Sequence, residues 1–103
     1  MLTHPKKRID IIIEAPLLRR VMELFDRADV SGYSVLPVIA GRGQSGAWSA
    51  DSQVGEAGQM MAIVSIVDAA KLDDILEAVV SVVRRQIGLV TISDVAVLRS
   101  ERF

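Results

Sequence analysis

The chain contains two successive units with the same order of patterns, each a short apolar run, an amphipathic run and a second short apolar run. The short runs are rich in β-branched residues and predict strands, while the amphipathic runs have the period of helices. The predicted strands are residues 8–14, 33–40, 59–68 and 89–98, and the predicted helices are residues 16–28 and 69–86. The order β-α-β-β-α-β predicts an α+β, ferredoxin-like fold, in which a four-stranded antiparallel sheet carries both helices on one face.

Composition limits the function of a chain this small. Its 103 residues predict one domain, residues 1–103, and its net charge of -1 gives no electrostatic reason to bind nucleic acid or an anionic membrane. Cysteine is absent, so thiolate chemistry and disulfides are excluded. Because no apolar run approaches the roughly 20 residues of a membrane span and the first residues lack the apolar region of a signal peptide, we expect a cytoplasmic protein without membrane insertion.

The third predicted strand, QMMAIVSIVD, is apolar on both of its faces. In a sheet with helices on one side, each strand normally alternates between apolar residues that face the helices and polar residues that face water. We therefore expect the open side of this sheet to be buried in a homo-oligomer. The second predicted strand contains Pro37, which indicates a sheet edge or a bulge.

A polar, glycine-rich run, AGRGQSGAWSADSQVGEAGQ, joins the second and third predicted strands. A connection of roughly 18 residues is much longer than the usual two to five of a hairpin, and such loops are functional or disordered. Five of the seven glycines lie in it. The segment GRGQSG predicts an anion-binding nest of backbone N–H groups beside the charge of Arg42, and the alternative is a flexible linker.

These residues together resemble the PII-type signalling proteins. The segment VSGYSVLPVIAGRGQSG is similar to the family's second strand and the start of its long T-loop, here residues 41–58. AIVSIVDAAKLDDILEAVVSVVR is similar to its third strand and second helix, and AVLRSER to its last strand and basic end. The resemblance implies a homotrimer that binds adenine nucleotides in the clefts between subunits, without catalysis, and signals to a partner through the T-loop.

Three departures from the nitrogen-sensing members indicate a divergent branch. RRQIGLVT stands where those members have TGKIGDGK, the loop from Gly41 to Gly58 has no tyrosine for covalent modification, and EAGQMM lacks the lysine that meets 2-oxoglutarate. The chain is thus similar to the PII-like proteins tied to inorganic carbon uptake and carboxysomes. That branch implies ADP or AMP, and in some members bicarbonate, as ligands, with a bicarbonate transporter or carboxysome-related protein as partner. No permanently bound cofactor and no metal are expected.

The resemblance also implies site residues. Ser34 would lie near the base or ribose, the Gly41 to Gln44 segment would meet the phosphates, and Arg99 matches a phosphate-binding arginine. The full nucleotide-binding set is Ser34, Gly41, Arg42, Gly43, Gln44, Arg84, Arg85, Gly88, Arg99 and Arg102. The bicarbonate or partner contacts would come from Gln44, Ser45, Gly46 and Trp48.

Other classes of protein share this order of elements. RNA-recognition domains stack bases on aromatic residues of the first and third strands, and those strands have none here. An acylphosphatase-type enzyme uses an asparagine to place water, and the chain contains no asparagine. The remaining alternative is a trimeric ferredoxin-like scaffold or metal-tolerance protein that binds no nucleotide.

Overall fold

The computed structural model describes residues 2–43, 46–49, 59–83 and 88–99. The two helices and the strands of the main sheet follow the predicted β-α-β-β-α-β order, and a further pair of strands lies within the glycine-rich run. The elements are β1 (His4–Glu14), a 3-10 turn (Ala15–Leu17), α1 (Leu18–Arg27), β2 (Tyr33–Val38), β3 (Ala40–Gly43), β4 (Gly46–Ser49), β5 (Met60–Val67), α2 (Ala69–Val83) and β6 (Gly88–Val97).

The main sheet has four antiparallel strands in the order β2-β5-β1-β6. The two central strands, β1 and β5, are paired from Lys7 opposite Val67 to Glu14 opposite Met60. The strand with Pro37 lies at one edge, where a residue without an N–H group is tolerated. The predicted α+β, ferredoxin-like fold is therefore confirmed, and of the two possibilities that Pro37 indicated, an edge or a bulge, the structure has the edge.

One face of the sheet packs on both helices. Ile9, Ile11 and Ile13 of β1 point to this side and are fully buried against Val21 and Phe25 of α1 and the apolar stripe of α2. The core cluster consists of Ile9, Ile11, Ile13, Val21, Phe25, Ile63, Val67, Ile75, Val79 and Val82. We call this side the helix face, and the opposite side, which carries the alternate residues of each strand, the open face.

The turn from α1 into β2 is tied to the centre of the sheet. Two residues beyond α1, Asp29 lies in the left-handed region at φ 56°, and the N–H of Val30 donates to the carbonyl of Phe25 at 3.1 Å. The buried hydroxyl of Ser65 donates to the carbonyl of Gly32 at 2.7 Å. These bonds fix where β2, and with it Ser34, begins.

The glycine-rich run is partly regular, which its composition did not predict. Ala40–Gly43 pairs antiparallel with Gly46–Ser49, so that Gly41 lies opposite Trp48 and Gly43 opposite Gly46. Only two residues separate the strands, a common length for a hairpin connection. Residues 50–58, in the second half of the predicted loop, lie outside the described residues.

Candidate functional site

Ser34, the candidate for the base or ribose, lies on the edge strand β2. It is exposed and pairs with Val64 of β5. Strand alternation places it on the open face, since its neighbours Tyr33 and Val35 pack against the core. From Ser34 to Val38, the end of β2, the strand rises about 13 Å. Ser34 therefore lies about 13 Å before the end of β2 that leads into the T-loop.

Gly41, Arg42 and Gly43 form part of the hairpin strand β3. Strand residues are extended, whereas an anion nest is a turn conformation of successive N–H groups. The predicted nest would therefore require this segment to leave its pairing with β4. Gln44 and Ser45 lie outside the described residues, and the predicted contacts Gly46 and Trp48 are placed only by their backbone register in β4.

Gly88 is the first residue of β6 and pairs with Ile13 at the end of β1. A Cβ atom at this position would lie 3.3 Å from Cγ2 of Ile13 and 3.4 Å from the carbonyl oxygen of Ile12. A side chain at this position would therefore require Ile13 to shift by a few tenths of an ångström, which is a packing reason for glycine that does not involve a ligand. The predicted sites Arg84 and Arg85, in the residues before Gly88, lie outside the described residues.

Arg99 lies two residues beyond the last residue of β6, Val97, which pairs with His4. Gly88, at the other end of β6, pairs with Ile13. Because His4 and Ile13 are nine residues apart in β1, Val97 and Gly88 lie about 30 Å apart along the sheet. Within the described residues neither Arg99 nor Arg42 makes an ion pair. Arg102 lies outside the described residues.

The candidate residues are also divided between the two edges of the sheet. Ser34 lies on β2 at one edge, whereas Gly88 begins β6 and Arg99 follows it at the other edge. Three strand spacings, about 14 Å, separate these edges, and β5 and β1 stand between them. One chain therefore does not bring these side chains together, and a shared ligand would need residues from two copies.

A charged network near the Arg99 end of the sheet was not anticipated from the sequence. Lys6 binds the carboxylate of Asp68, Lys7 binds Asp94, and Arg8 binds Asp10. The hydrogen bond from Lys6, followed by the charges of Lys6 and Lys71, lowers the pKa of Asp68 below its usual 3.8. Each cation of the run KKR is thus matched by an aspartate. The signal in the sequence was the placement of Asp10, Asp68 and Asp94 in or beside predicted strands.

A shallow groove adjoins this network. Val30, Ser31, Val67, Asp68 and Lys71 line it, and the ammonium of Lys71 donates to the carbonyl of Asp29 at 2.8 Å. Its polar groups therefore already hold the α1–β2 turn against the start of α2. Nearby, burial and then the charge and hydrogen bond of Asp26 raise the pKa of Tyr33. These are structural contacts between elements.

In the part of the chain that the structure describes, no group of three histidine, cysteine, aspartate or glutamate side chains is arranged to hold a metal ion. None of the helices in these ranges is both long and apolar enough to cross a membrane. Every buried side-chain nitrogen or oxygen in them has a hydrogen-bond partner.

Comparisons with known proteins identify relatives over nearly the whole chain. CPII, a nitrogen regulatory PII-like protein from Thiomonas intermedia K12, was solved bound to ADP, AMP and bicarbonate; it is 25% identical, with a TM-score of 0.89 over 99% of this chain and 96% of that chain. A putative PII-like signalling protein from Thermus thermophilus is 24% identical, with a TM-score of 0.79 over 100% of this chain and 99% of that one, and supports the fold alone. No curated protein matches the chain.

The description of the matching family model is "Nitrogen regulatory protein P-II", and the match covers residues 6–102. It spans both helices, the whole glycine-rich run and almost all of the main sheet. The divergent branch indicated by the sequence is supported by the similarity to CPII. The chain therefore belongs to the nitrogen regulatory protein P-II family and is a PII-like regulatory protein.

Proposed function

We propose that this protein is a non-enzymatic cytoplasmic sensor that binds ADP or AMP in the clefts between the subunits of a homotrimer. Bicarbonate is the second ligand, and the T-loop, residues 41–58, reports the bound state to a partner. One observation carries the choice of ligands: the chain is similar over its full length to CPII, which was solved with ADP, AMP and bicarbonate.

The geometry supports a site between subunits. Ser34 and Arg99 lie at opposite edges of one sheet, so a nucleotide that contacts both needs two copies of the chain. Arg42 and Arg99 have no carboxylate partner within the described residues, as expected for cations that bind phosphate. Charge-assisted hydrogen bonds from arginine suit phosphate oxygens because the guanidinium is planar and always charged.

Calorimetry with ADP tests the nucleotide site. Arg99→Ala should weaken ADP binding by about 1.5 to 3 kcal/mol, roughly ten- to hundredfold, because it removes a hydrogen bond to a charged group. Arg20→Ala, on the exposed side of α1, is the matched control and should leave the affinity unchanged. Equal affinities of the wild type and Arg99→Ala for ADP would show that Arg99 is a surface charge that does not contact the nucleotide.

Bicarbonate and the loop response are tested by fluorescence. Trp48 is the only tryptophan in the chain and lies in the T-loop, so its emission should shift on addition of ADP and shift again on addition of bicarbonate at constant pH and ionic strength. A response to ADP without one to bicarbonate would reject the inorganic-carbon part of the proposal. If calorimetry showed no binding of ADP to a trimeric protein, the scaffold alternative would replace the sensor.

The partner follows from the ligand. If the protein binds bicarbonate together with a nucleotide, the proposed partner is a bicarbonate transporter or a carboxysome-related protein. Neighbouring genes give an inexpensive test, since a transporter or shell operon of that kind supports the proposal and an ammonium transporter contradicts it.

A further inference from the structure

Arg8 and Asp10 form a bidentate ion pair along one strand. The Nε and Nη2 atoms of Arg8 lie 2.9 and 3.0 Å from the two carboxylate oxygens of Asp10. The hydrogen bond and then the charge of Asp10 raise the pKa of Arg8. The two residues are two positions apart in β1, so their side chains emerge on the same side of the sheet.

That side is the open face. The residues between and beside them, Ile9 and Ile11, are buried under the helices, whereas the Arg8 and Asp10 side chains retain 46% and 31% of their exposure. Their register neighbours are Ile66 and Val64 on β5 and the hydroxyl residues Ser93 and Thr91 on β6. The pair therefore stands at the border of the apolar part of this face, which consists of Ile12, Leu36, Ala62, Val64, Ile66 and Leu89.

The hydrogen-bonding capacity of Arg8 is only partly used. A guanidinium has five N–H donors, and Asp10 accepts from two nitrogen atoms through one edge of the group. In a single chain, water satisfies the remaining donors, and an exposed pair of this kind contributes little. Once the open face is covered, those donors and the remaining lone pairs of Asp10 need new partners, because buried polar groups without partners are costly.

A second copy of this chain meets that need. Its open face carries the same apolar residues together with one positive and one negative charge in the same spacing, so the faces of identical copies are complementary in charge without any net charge. The other ionisable groups that alternation places on this face are His4, Lys6 and Glu14, toward the ends of β1, and Lys6 is held by Asp68.

We propose that Arg8 and Asp10 determine the specificity of the contact between subunits, with Arg8 of each copy donating also to Asp10 of a neighbouring copy. The three copies then form a closed ring of alternating charges within an apolar interface. This inference rests on the homotrimer in the proposed function and adds the residues that fix how its subunits align. Such a pair favours alignment of the correct faces because any other alignment leaves a buried charge unpaired.

Light scattering and sedimentation of Arg8→Met and Asp10→Asn provide the first test. Each single variant should remain folded by circular dichroism. Its association should be weaker by a factor of about a hundred or more, because one buried charge is left without its partner. Lys7→Met is the matched control: it removes the adjacent ion pair with Asp94, which lies on the helix face, and should leave association unchanged. The double variant Arg8→Met/Asp10→Leu should associate again, because it leaves no charge unpaired.

A mixing experiment separates contacts between copies from contacts within one chain. The swapped variant Arg8→Asp/Asp10→Arg keeps an ion pair within each chain and should assemble alone. In a mixed trimer with wild type, however, two of the three contacts would bring like charges together, so the two proteins should not assemble with each other. A trimeric wild type with unaffected single variants would overturn this inference and leave the proposed nucleotide site standing. If a single variant failed to fold, the swapped variant would still decide, because free exchange of its subunits with those of wild type contradicts the ring. A monomeric wild type would overturn the proposed trimer itself.

Discussion

The two faces of the sheet are built from similar residues, and they differ in what covers them. On the helix face, Ile11 and Ile63 are fully buried by the chain's own helices. On the open face, Leu36 remains 48% and Leu89 56% exposed, and Arg8 and Asp10 form an ion pair. Contiguous exposed apolar residues are typical of interaction sites. The difference teaches that the hydrophobicity of β1 and β5 serves folding on the helix face, and that on the open face it stays partly exposed in a single chain, where the proposed trimer would cover it.

The largest expected effect comes from Ile11 and Ile12, which are adjacent in β1 and point to opposite faces. Ile11→Ala should lower the free energy of unfolding by about 2 to 5 kcal/mol at every protein concentration, because it leaves a cavity in the core. Ile12→Ala should act mainly on association, so its effect should grow with protein concentration. Thermal unfolding measured over a series of concentrations distinguishes them. If both variants showed the same concentration dependence, the two faces would not differ in role.

Two serines allow the same comparison for a hydroxyl group. Ser65, buried on the helix face, donates to the carbonyl of Gly32, and Ser65→Ala should cost about 0.5 to 1.5 kcal/mol because the hydrogen bond of the buried hydroxyl is lost. Ser34→Ala, exposed on the open face, should change stability by less than about 0.5 kcal/mol. Urea unfolding measures both. A larger loss of stability for Ser34→Ala would show that the open face is part of the folding core.

The smallest expected effect concerns the pH dependence of stability that the Lys6–Asp68 ion pair, near the start of β1, confers. Because Lys6 lowers the pKa of Asp68 in the folded protein, this carboxylate stabilises the fold above its usual value of 3.8, and the contribution is lost as pH falls through the lowered folded value. The difference in stability between wild type and Asp68→Asn should therefore begin to narrow as the pH falls below about 5 and go on narrowing below 3.8. In a Lys6→Met background, which lacks the charge that lowers the pKa of Asp68, the same comparison should narrow less.

The strands and helices of the main sheet were predictable because their apolar residues alternate or recur with the right period. The apolar face of α1 is an example, since Val21 and Phe25 are buried and Leu17, Leu18, Leu24 and Ala28 pack against the core as expected. The start of β1 was predicted four residues late, at Arg8 instead of His4. Charged residues are unusual in a strand, and Lys6 and Lys7 are held there by aspartates distant in the sequence.

The site was less predictable than the fold. Its residues were assigned by resemblance, and the separation of Ser34 from Arg99 depends on strand order, which periodicity does not contain. The hairpin at Ala40–Gly43 was missed because glycine has no side chain to show alternation, so backbone pairing alone defines these strands. The functional meaning of Gly88 was likewise uncertain in the sequence, where a glycine kept for packing and one kept for a ligand look the same.

The composition of the β3–β4 hairpin has a mechanical consequence. Glycine-rich strands specify their pairing register weakly, because few side chains resist sliding. Glycine occupies at least one side of two of the four register pairs, Gly41 with Trp48 and Gly43 with Gly46, so the connection between the strands must supply most of the register. A slip by one residue would turn each side chain to the other surface, whereas a slip by two restores the pattern and advances the strand by about 7 Å. Any change of register in this ribbon would therefore alter the reach of the loop in discrete steps and not by continuous bending.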